Sequence, residues 1–288
     1  MSVDVEDWLN ATILQETGKV YPPGDAVLRN SETLLSLFKE YGSHATWFFL
    51  GEVAEAFPGL ARQVAAAGHE IGVHGFHHHQ VGALTPEEFK KSIAQAKDAI
   101  EQTAGVAVSG YRAVDFSINH ETRWALDILL EVGFKYDASL FPMRLPRYGV
   151  ADAPLDPHWV RTEGGGWIYE IPVTVCKFPG VRLPFAGGGY FRMLPYWLTH
   201  LLMQWEAKRK QVVFYIHPCE VEEDYCLGTL PADLGSHEVK QIRRRFMAET
   251  RGRRNGLKKL QRLLGSHRFG SIAEAFRVHE LVPPSETT

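Results

Sequence analysis

Short apolar runs ending in glycine, histidine or aspartate alternate with stretches of 3.6-residue period along most of this chain, and that alternation restricts its fold more than any other feature. Strands are predicted at residues 2–6, 44–50, 69–74, 108–113, 134–137, 167–173 and 212–217. The helices between them carry their own signals. Leu28, Ser31, Leu35 and Phe38 share a face, and Thr85, Pro86 and Glu88 form a capping box ahead of Phe89, Ile93, Ala96 and Ile100. Pro195 opens a helix whose apolar face reads as Leu198, Leu201, Leu202 and Trp205. Repetition of this kind implies parallel strands with right-handed crossovers, closed as a barrel or open as a doubly wound sheet. Both place ligands at the C-terminal ends of the strands. Residues 142–166, rich in Pro and Gly and without clear period, read as a long loop at the mouth. Beyond Glu220 the pattern changes to an acidic turn, a helical region through Leu257, Leu260, Leu263 and Leu264, and a short segment at 272–276. This is expected to be an appended helical tail.

With 288 residues, 45% of them hydrophobic, the chain can bury one sizeable core, so a single catalytic domain is expected. A formal charge of −3 gives no overall attraction to nucleic acid or to an anionic membrane. The local cluster Arg243, Arg244, Arg245, Arg251, Arg253 and Arg254 reads as a solvated helix face rather than a polyanion site. No run of about 18 apolar residues exists to span a bilayer. The N-terminus lacks the basic, apolar and small-residue order of an export signal, so a cytoplasmic enzyme is expected. Cys176, Cys219 and Cys226 are odd in number at no metal-like spacing, as expected of reduced thiols.

Four of the predicted strands end in polar groups that a packed core would not choose, and parallel strands would bring all four ends to one rim. The first reads Ser-Val-Asp-Val-Glu-Asp-Trp; Asp4 and Glu6, two apart, point to one face of an extended chain, whereas Asp7 points away. The third runs into His74-Gly-Phe-His77-His78-His79. Across one helical turn His74 and His78 would present two imidazoles to a single ion, which needs a carboxylate such as Glu6 to leave an open position for water. The fourth ends in Gly-Tyr-Arg112-Ala-Val-Asp115, and the seventh in His217-Pro-Cys-Glu220. Taken singly, Arg112 could be a surface salt-bridge partner and His217 a satisfied structural histidine.

These motifs, in this order, resemble the polysaccharide deacetylases of carbohydrate esterase family four, over roughly residues 1–220. The likeness also includes Gly-Phe-Lys-Tyr-Asp-Ala-Ser-Leu, Glu-Ile-Pro-Val-Thr and Tyr-Ile-His-Pro. It is similar in particular to the branch found with exopolysaccharide synthesis loci in exosortase-containing bacteria, which carries a like C-terminal extension. The resemblance implies a distorted seven-stranded (β/α) barrel over 1–220 with a helical extension at 221–288 packed on it. It implies a metal-dependent hydrolase removing N-acyl groups from amino sugars of a polysaccharide, oligosaccharide or lipid-linked glycan, with a divalent metal, zinc foremost. By the same resemblance Asp4 matches the catalytic base, His74 and His78 the histidine ligands, Arg112 the residue holding the base, and His217 the acid. Two departures stand out. Val5 occupies the place of a second aspartate, which displaces the carboxylate ligand to Glu6, and Val114 replaces a proline after Arg112. Asp137 is a candidate to orient His217. Trp8, Phe76, Tyr190 and Phe191 are candidates to face a sugar. A carbohydrate is the expected partner, with no nucleic acid and no transmembrane segment; self-association is left open. Two other readings are an allantoinase-like hydrolase of small cyclic amides, which shares the variant first motif, and a degenerate saccharide-binding module.

Overall fold

In the computed structural model, which describes residues 1–7, 21–145, 148–222, 230 and 233–285, the first strand β1 (Ser2–Val5) lies fully buried inside a curled, mostly parallel sheet. Strands β2 (Thr46–Leu50), β3 (Glu70–Gly75), β4 (Gly110–Tyr111) and β5 (Tyr136–Asp137) follow it in chain order, each parallel to the last. The antiparallel strand β6 (His158–Arg161) forms the far edge, against β7 (Trp167–Glu170), which itself runs parallel to β5. A separate hairpin, β8 (Val175–Phe178) and β9 (Val181–Pro184), follows, and β10 (Tyr215–Ile216) flanks β1 on its other side. Neighbours in chain order are the winding of a barrel, without the reversal of a doubly wound sheet.

All seven strands expected of the barrel form and run parallel; among the described residues an eighth, antiparallel strand joins the edge and strand pairing leaves the curl open. Pro172, which has no N–H to offer a ladder, stops β7 just where closure onto β10 would begin. Two hydrogen bonds bridge the gap instead, Thr174 N to the Val213 carbonyl at 3.2 Å and Val213 N to Thr174 Oγ1 at 2.9 Å. The stretch 142–166, read as loop, contains β6; its residues are half exposed, so no apolar alternation marks them.

Helices α1 (Asp25–Glu40), α2 (Gly51–Ala56), α3 (Pro58–Ala66), α4 (Pro86–Ala104) and α5 (Ala125–Val132) cover the sheet. The capping box of α4 forms: Thr85 Oγ1 accepts from the Glu88 amide, and the Glu88 carboxylate accepts from Thr85 N at 2.9 Å. Phe89, Ile93, Ala96 and Ile100 are buried as the pattern required. On α1 the buried stripe includes Ser31 and Phe38 but is centred on Val27, Leu34 and Leu37, leaving Leu28 and Leu35 at its margin. After α6 (Gly188–Met193), helix α7 (Tyr196–Ala207) departs further from the sequence reading. It buries Thr199, Leu202, Met203 and Glu206 and turns Leu201 and Trp205 outward. The Glu206 carboxylate reaches the Cys176 thiol of β8, which helps hold that face inward.

Inside the curl, Phe48, Tyr136, Ala138, Ile171 and Val213 make a small second core. Tyr136 lies so close across β4 that a Cβ at Gly110 would fall within its ring, which is why β4 carries glycine there. Helices α8 (Ser236–Glu249), α9 (Gly256–Ser266) and α10 (Ile272–Ala275) complete the described chain. Ile272 and Val278 plug this inner core at the N-terminal end of the strands, where Thr46 Oγ1 accepts from Ile272 N (2.7 Å) and Glu70 Oε2 from Ala273 N (2.8 Å). The opposite rim, at the strands' C-terminal ends, is left for chemistry.

Candidate active site

Pairing with β2 and β10 holds β1 through Val5, where Glu6 N donates to the Asp4 carbonyl (3.1 Å) in a tight turn that carries the Glu6 carboxylate to the rim. Strand β3 delivers His74 beside it. Gly75 then adopts φ 110°, a conformation other residues rarely reach, and breaks the strand at that point. The following residues form a bend, with His79 N donating to the His77 carbonyl at 2.8 Å, rather than the helical turn expected from the four-residue spacing. The bend still returns His78 to His74, ring centroids 5.9 Å apart.

Glu6 Oε2 lies 2.5 Å from His78 Nε2 and 3.5 Å from His74 Nε2. One ligand atom from each of Glu6, His74 and His78 falls within 4.8 Å of the others. His74 Nδ1 donates to the Arg112 carbonyl (2.8 Å), which fixes the tautomer and leaves Nε2 with a lone pair directed at Glu6. Burial would push the Glu6 carboxyl up, but the His78 charge and hydrogen bonds from both imidazoles hold it well below the carboxylate range. His78 is raised: burial opposes its charge, and the Glu6 carboxylate more than offsets that. The electrostatics of the cluster therefore favours positive charge among these three groups. Two imidazoles and a carboxylate are also the donor set of three-ligand zinc sites, so these residues fit a divalent ion. Asp7 is elsewhere, its carboxylate accepting from Gly24 N at 2.7 Å.

Arg112 is fully buried, its Nη1 donating to Asp4 Oδ1 (2.9 Å) and Ser2 Oγ (2.7 Å) and its Nε to the Ala138 carbonyl (3.0 Å). The guanidinium also lies over the Phe48 ring, 4.5 Å from its centroid. Such a pair aims one carboxylate oxygen of Asp4 and fixes the side chain. Just beyond, where Val114 replaces the usual proline, Asp115 and Phe116 are consecutive non-glycine residues at φ 52° and 50°. Strain of about 1–3 kcal/mol per residue is held there, beside the site. Gln80 Nε2 donates to Asp115 Oδ2 (2.8 Å) and ties this turn to the histidine bend.

His217 ends β10 with Nε2 3.7 Å from Glu6 Oε1. Its Nδ1 faces Glu220 Oε1 at 3.1 Å, and Arg192 Nη1 holds the same oxygen at 2.6 Å. Burial would lower the His217 pKa, yet the Glu220 hydrogen bond and the Glu6 and Glu220 charges raise it to about 9. Asp137 does not take the orienting role expected of it. It is buried among Ser139 and Glu170, where burial raises both carboxyls and repulsion between them raises Glu170 further. The register of β5 with β7 explains this, since it sets Asp137 opposite Glu170. A signal for Glu220 was present in the sequence: Pro218 starts a tight turn that returns the third residue after His217 to its ring. Arg192 had none, being 28 residues away.

Of the aromatic candidates, Phe76 and Phe191 are core residues, 8% and 2% exposed; Phe191 stacks edge-on against Phe214. Trp8 lies outside the described residues. Tyr190 is partly open and belongs to a group the sequence reading did not assemble. Tyr148 hydrogen-bonds Tyr190 and Tyr215, and Tyr215 sets its ring 5.6 Å from that of His217. Phe116 and Phe141 back this wall, 5.1 Å from Tyr215 and 5.2 Å from Tyr148.

Residues 24–136 match the polysaccharide deacetylase family model, and residues 138–277 match a domain of unknown function, DUF3473. A peptidoglycan deacetylase of Helicobacter pylori is 36% identical over 107 residues, 37% of this chain and 36% of that protein. A peptidoglycan-N-acetylglucosamine deacetylase of Bacillus cereus is 30% identical over 95 residues, 33% of this chain and 34% of that protein. The chain thus spans about a third of the length of these curated relatives. Among solved structures, a Mycobacterium smegmatis protein provisionally assigned to the polysaccharide deacetylases superposes with TM-score 0.59 at 22% identity, covering 100% of this chain and 92% of that one. An allantoinase superposes with TM-score 0.57 at 18% identity, covering 99% and 90%. Both show the fold. By sequence, residues 24–136 are similar to the polysaccharide deacetylases and residues 138–277 to the domain of unknown function.

Proposed function

We propose that this protein is a metal-dependent hydrolase that removes the N-acetyl group from amino sugars of a polysaccharide, an oligosaccharide or a lipid-linked glycan. One observation carries the reading: Glu6, His74 and His78 converge beside an arginine-held Asp4 and a carboxylate-held His217. The names of the curated relatives point to N-acetylated amino sugars as the substrate class. The exopolysaccharide branch suggested by the sequence motifs is kept as the finer assignment.

Glu6, His74 and His78 would hold the divalent ion, zinc being the best match to the donor set. When bound, such an ion supplies Lewis acidity and lowers the pKa of water towards about 7. Asp4 takes the proton of the attacking water, and Arg112 holds and aims that carboxylate. His217, protonated and oriented by Glu220, hands a proton to the departing amine, which is otherwise too basic to leave. Tyr148 and Tyr190 offer ring faces and hydroxyls to the sugar. Residues 1–220 carry all of these groups except that the extension 221–288 supports them from below through Ile272 and Val278.

The test is acetate release from N-acetylglucosamine oligomers, run beside ring opening of hydantoin-like compounds, with zinc-loaded and chelator-treated protein. Acetate release that is lost with the chelator and restored by the ion is the expected result. Activity confined to the cyclic amides would favour the allantoinase-like reading, and a chelator-indifferent protein without turnover would favour a binding module.

A further inference from the structure

Helix α7 packs Leu202 and Met203 against the core and still presents a second apolar stripe to solvent. Trp197, Leu201 and Trp205, four residues apart, are 67%, 53% and 52% exposed, and Met193 at the end of α6 extends the line at 68%. A surface helix normally keeps its apolar residues on the packed side, whereas here an apolar stripe lies exposed while Thr199 and Glu206 are buried with Leu202 and Met203. The surroundings of the stripe are basic. Lys208 and Arg209 are exposed at its C-terminal end, and the Arg209 guanidinium lies 5.9 Å from the Trp205 ring centroid. On the flank, Arg262 of α9 is exposed and sits 4.0 Å over the ring of Tyr196. The only carboxylate in α7, Glu206, is 5% exposed, so no acid on this helix offsets those cations at the surface. Lys210 is engaged by Asp156 at 2.8 Å and is not counted among them.

We propose that this face of α7 docks the protein onto an anionic lipid bilayer surface, with Trp197, Leu201, Trp205 and Met193 entering the interface and Lys208, Arg209 and Arg262 meeting lipid phosphates. Indole rings combine an apolar body with an N–H donor and favour the level of the headgroups. Adjacent cations add attraction to anionic lipid that weakens with salt. A second copy of the chain is the poorer occupant: stripe against stripe would bring these cations together with no exposed α7 carboxylate to receive them. The surface begins one residue from Arg192, which holds Glu220 behind His217, so it adjoins the His217 side of the site. The inference does not depend on the catalytic reading.

The experiment is co-sedimentation of the full chain with phosphatidylcholine vesicles prepared with and without phosphatidylglycerol, at low and high salt. Binding is expected only to the anionic vesicles and weaker in salt. The double variant Trp197→Ser/Trp205→Ser should lower partitioning at least about tenfold. Lys208→Glu/Arg209→Glu should remove most of the salt-dependent part. Both variants should keep the wild-type melting curve and acetate release from soluble oligomers, because the residues are exposed and outside the site. Absence of binding to anionic vesicles, or binding that neither variant changes, overturns the proposal. So does a wild-type dimer in sedimentation velocity that the tryptophan variant dissociates, which would give the stripe to a second copy.

Discussion

Replacing Glu220 with glutamine removes the charge that faces His217 Nδ1 at 3.1 Å while keeping the size of the side chain. His217 is raised from an ordinary 6.5 to about 9, so in the wild type it stays protonated through neutral pH and loses its proton as pH rises through about 9. An opposite charge at this range is worth about 1–3 pKa units, so the variant's alkaline limb of kcat/KM should move down by that amount. At pH 8 a drop of about 1–2 units takes the protonated fraction from roughly nine-tenths to between one-half and one-tenth, a two- to tenfold loss of rate. The same linkage gives a stability signature of definite sign. A raised histidine pKa contributes stability that is complete below 6.5 and is lost as pH rises through about 9. The whole shift sets a ceiling of about 3 kcal/mol. Glu6 also raises His217 and is itself a candidate metal ligand, so the sharp observable is the separation between wild type and variant in the zinc-loaded enzyme. If the variant keeps its metal and its alkaline limb does not move, Glu220 does not tune the acid and the assignment of His217 fails with it.

Asp4→Asn should leave zinc affinity intact while lowering kcat by about 10²–10⁴-fold, whereas His78→Ala should lose the metal itself; metal analysis beside kinetics separates the two. Arg112→Met strands a buried Asp4 carboxylate and should cost about 3–5 kcal/mol in denaturant unfolding, with a small effect indicating that Asp4 finds another partner. Ile272→Ala, at the plug beneath the inner core, should cost about 2–5 kcal/mol without changing metal content.

The polarity of the strand ends was enough to predict that the candidate side chains would share one rim. Asp4, Glu6, His74, Arg112 and His217 lie at or just beyond the ends of β1, β3, β4 and β10, and parallel pairing alone is enough to gather them. What spacing could not reveal was local conformation. His74 and His78 suggested a helical turn, but Gly75 at φ 110° makes a bend that achieves the same convergence. Partners set by tertiary structure were likewise hidden. Asp137 looked free to reach His217 until the β5–β7 register paired it with Glu170, and Arg192 reaches Glu220 only through the packing of α6. The apolar residues of α7 misled for a related reason: periodicity identifies a stripe, not which way it faces, and the stripe containing Leu201 and Trp205 points outward. Half-exposed β6 left no alternation to read.

The most direct test of the account is a crystal structure of zinc-loaded protein, with the ion located by its anomalous signal. A single site is expected, ligated by Glu6, His74 Nε2 and His78 Nε2 at about 2.0–2.2 Å, with Asp4 outside the shell and still held by Arg112. An ion bound away from this cluster, or one that takes Asp4 in place of Glu6 as its carboxylate, would contradict the division of labour on which the mechanism rests.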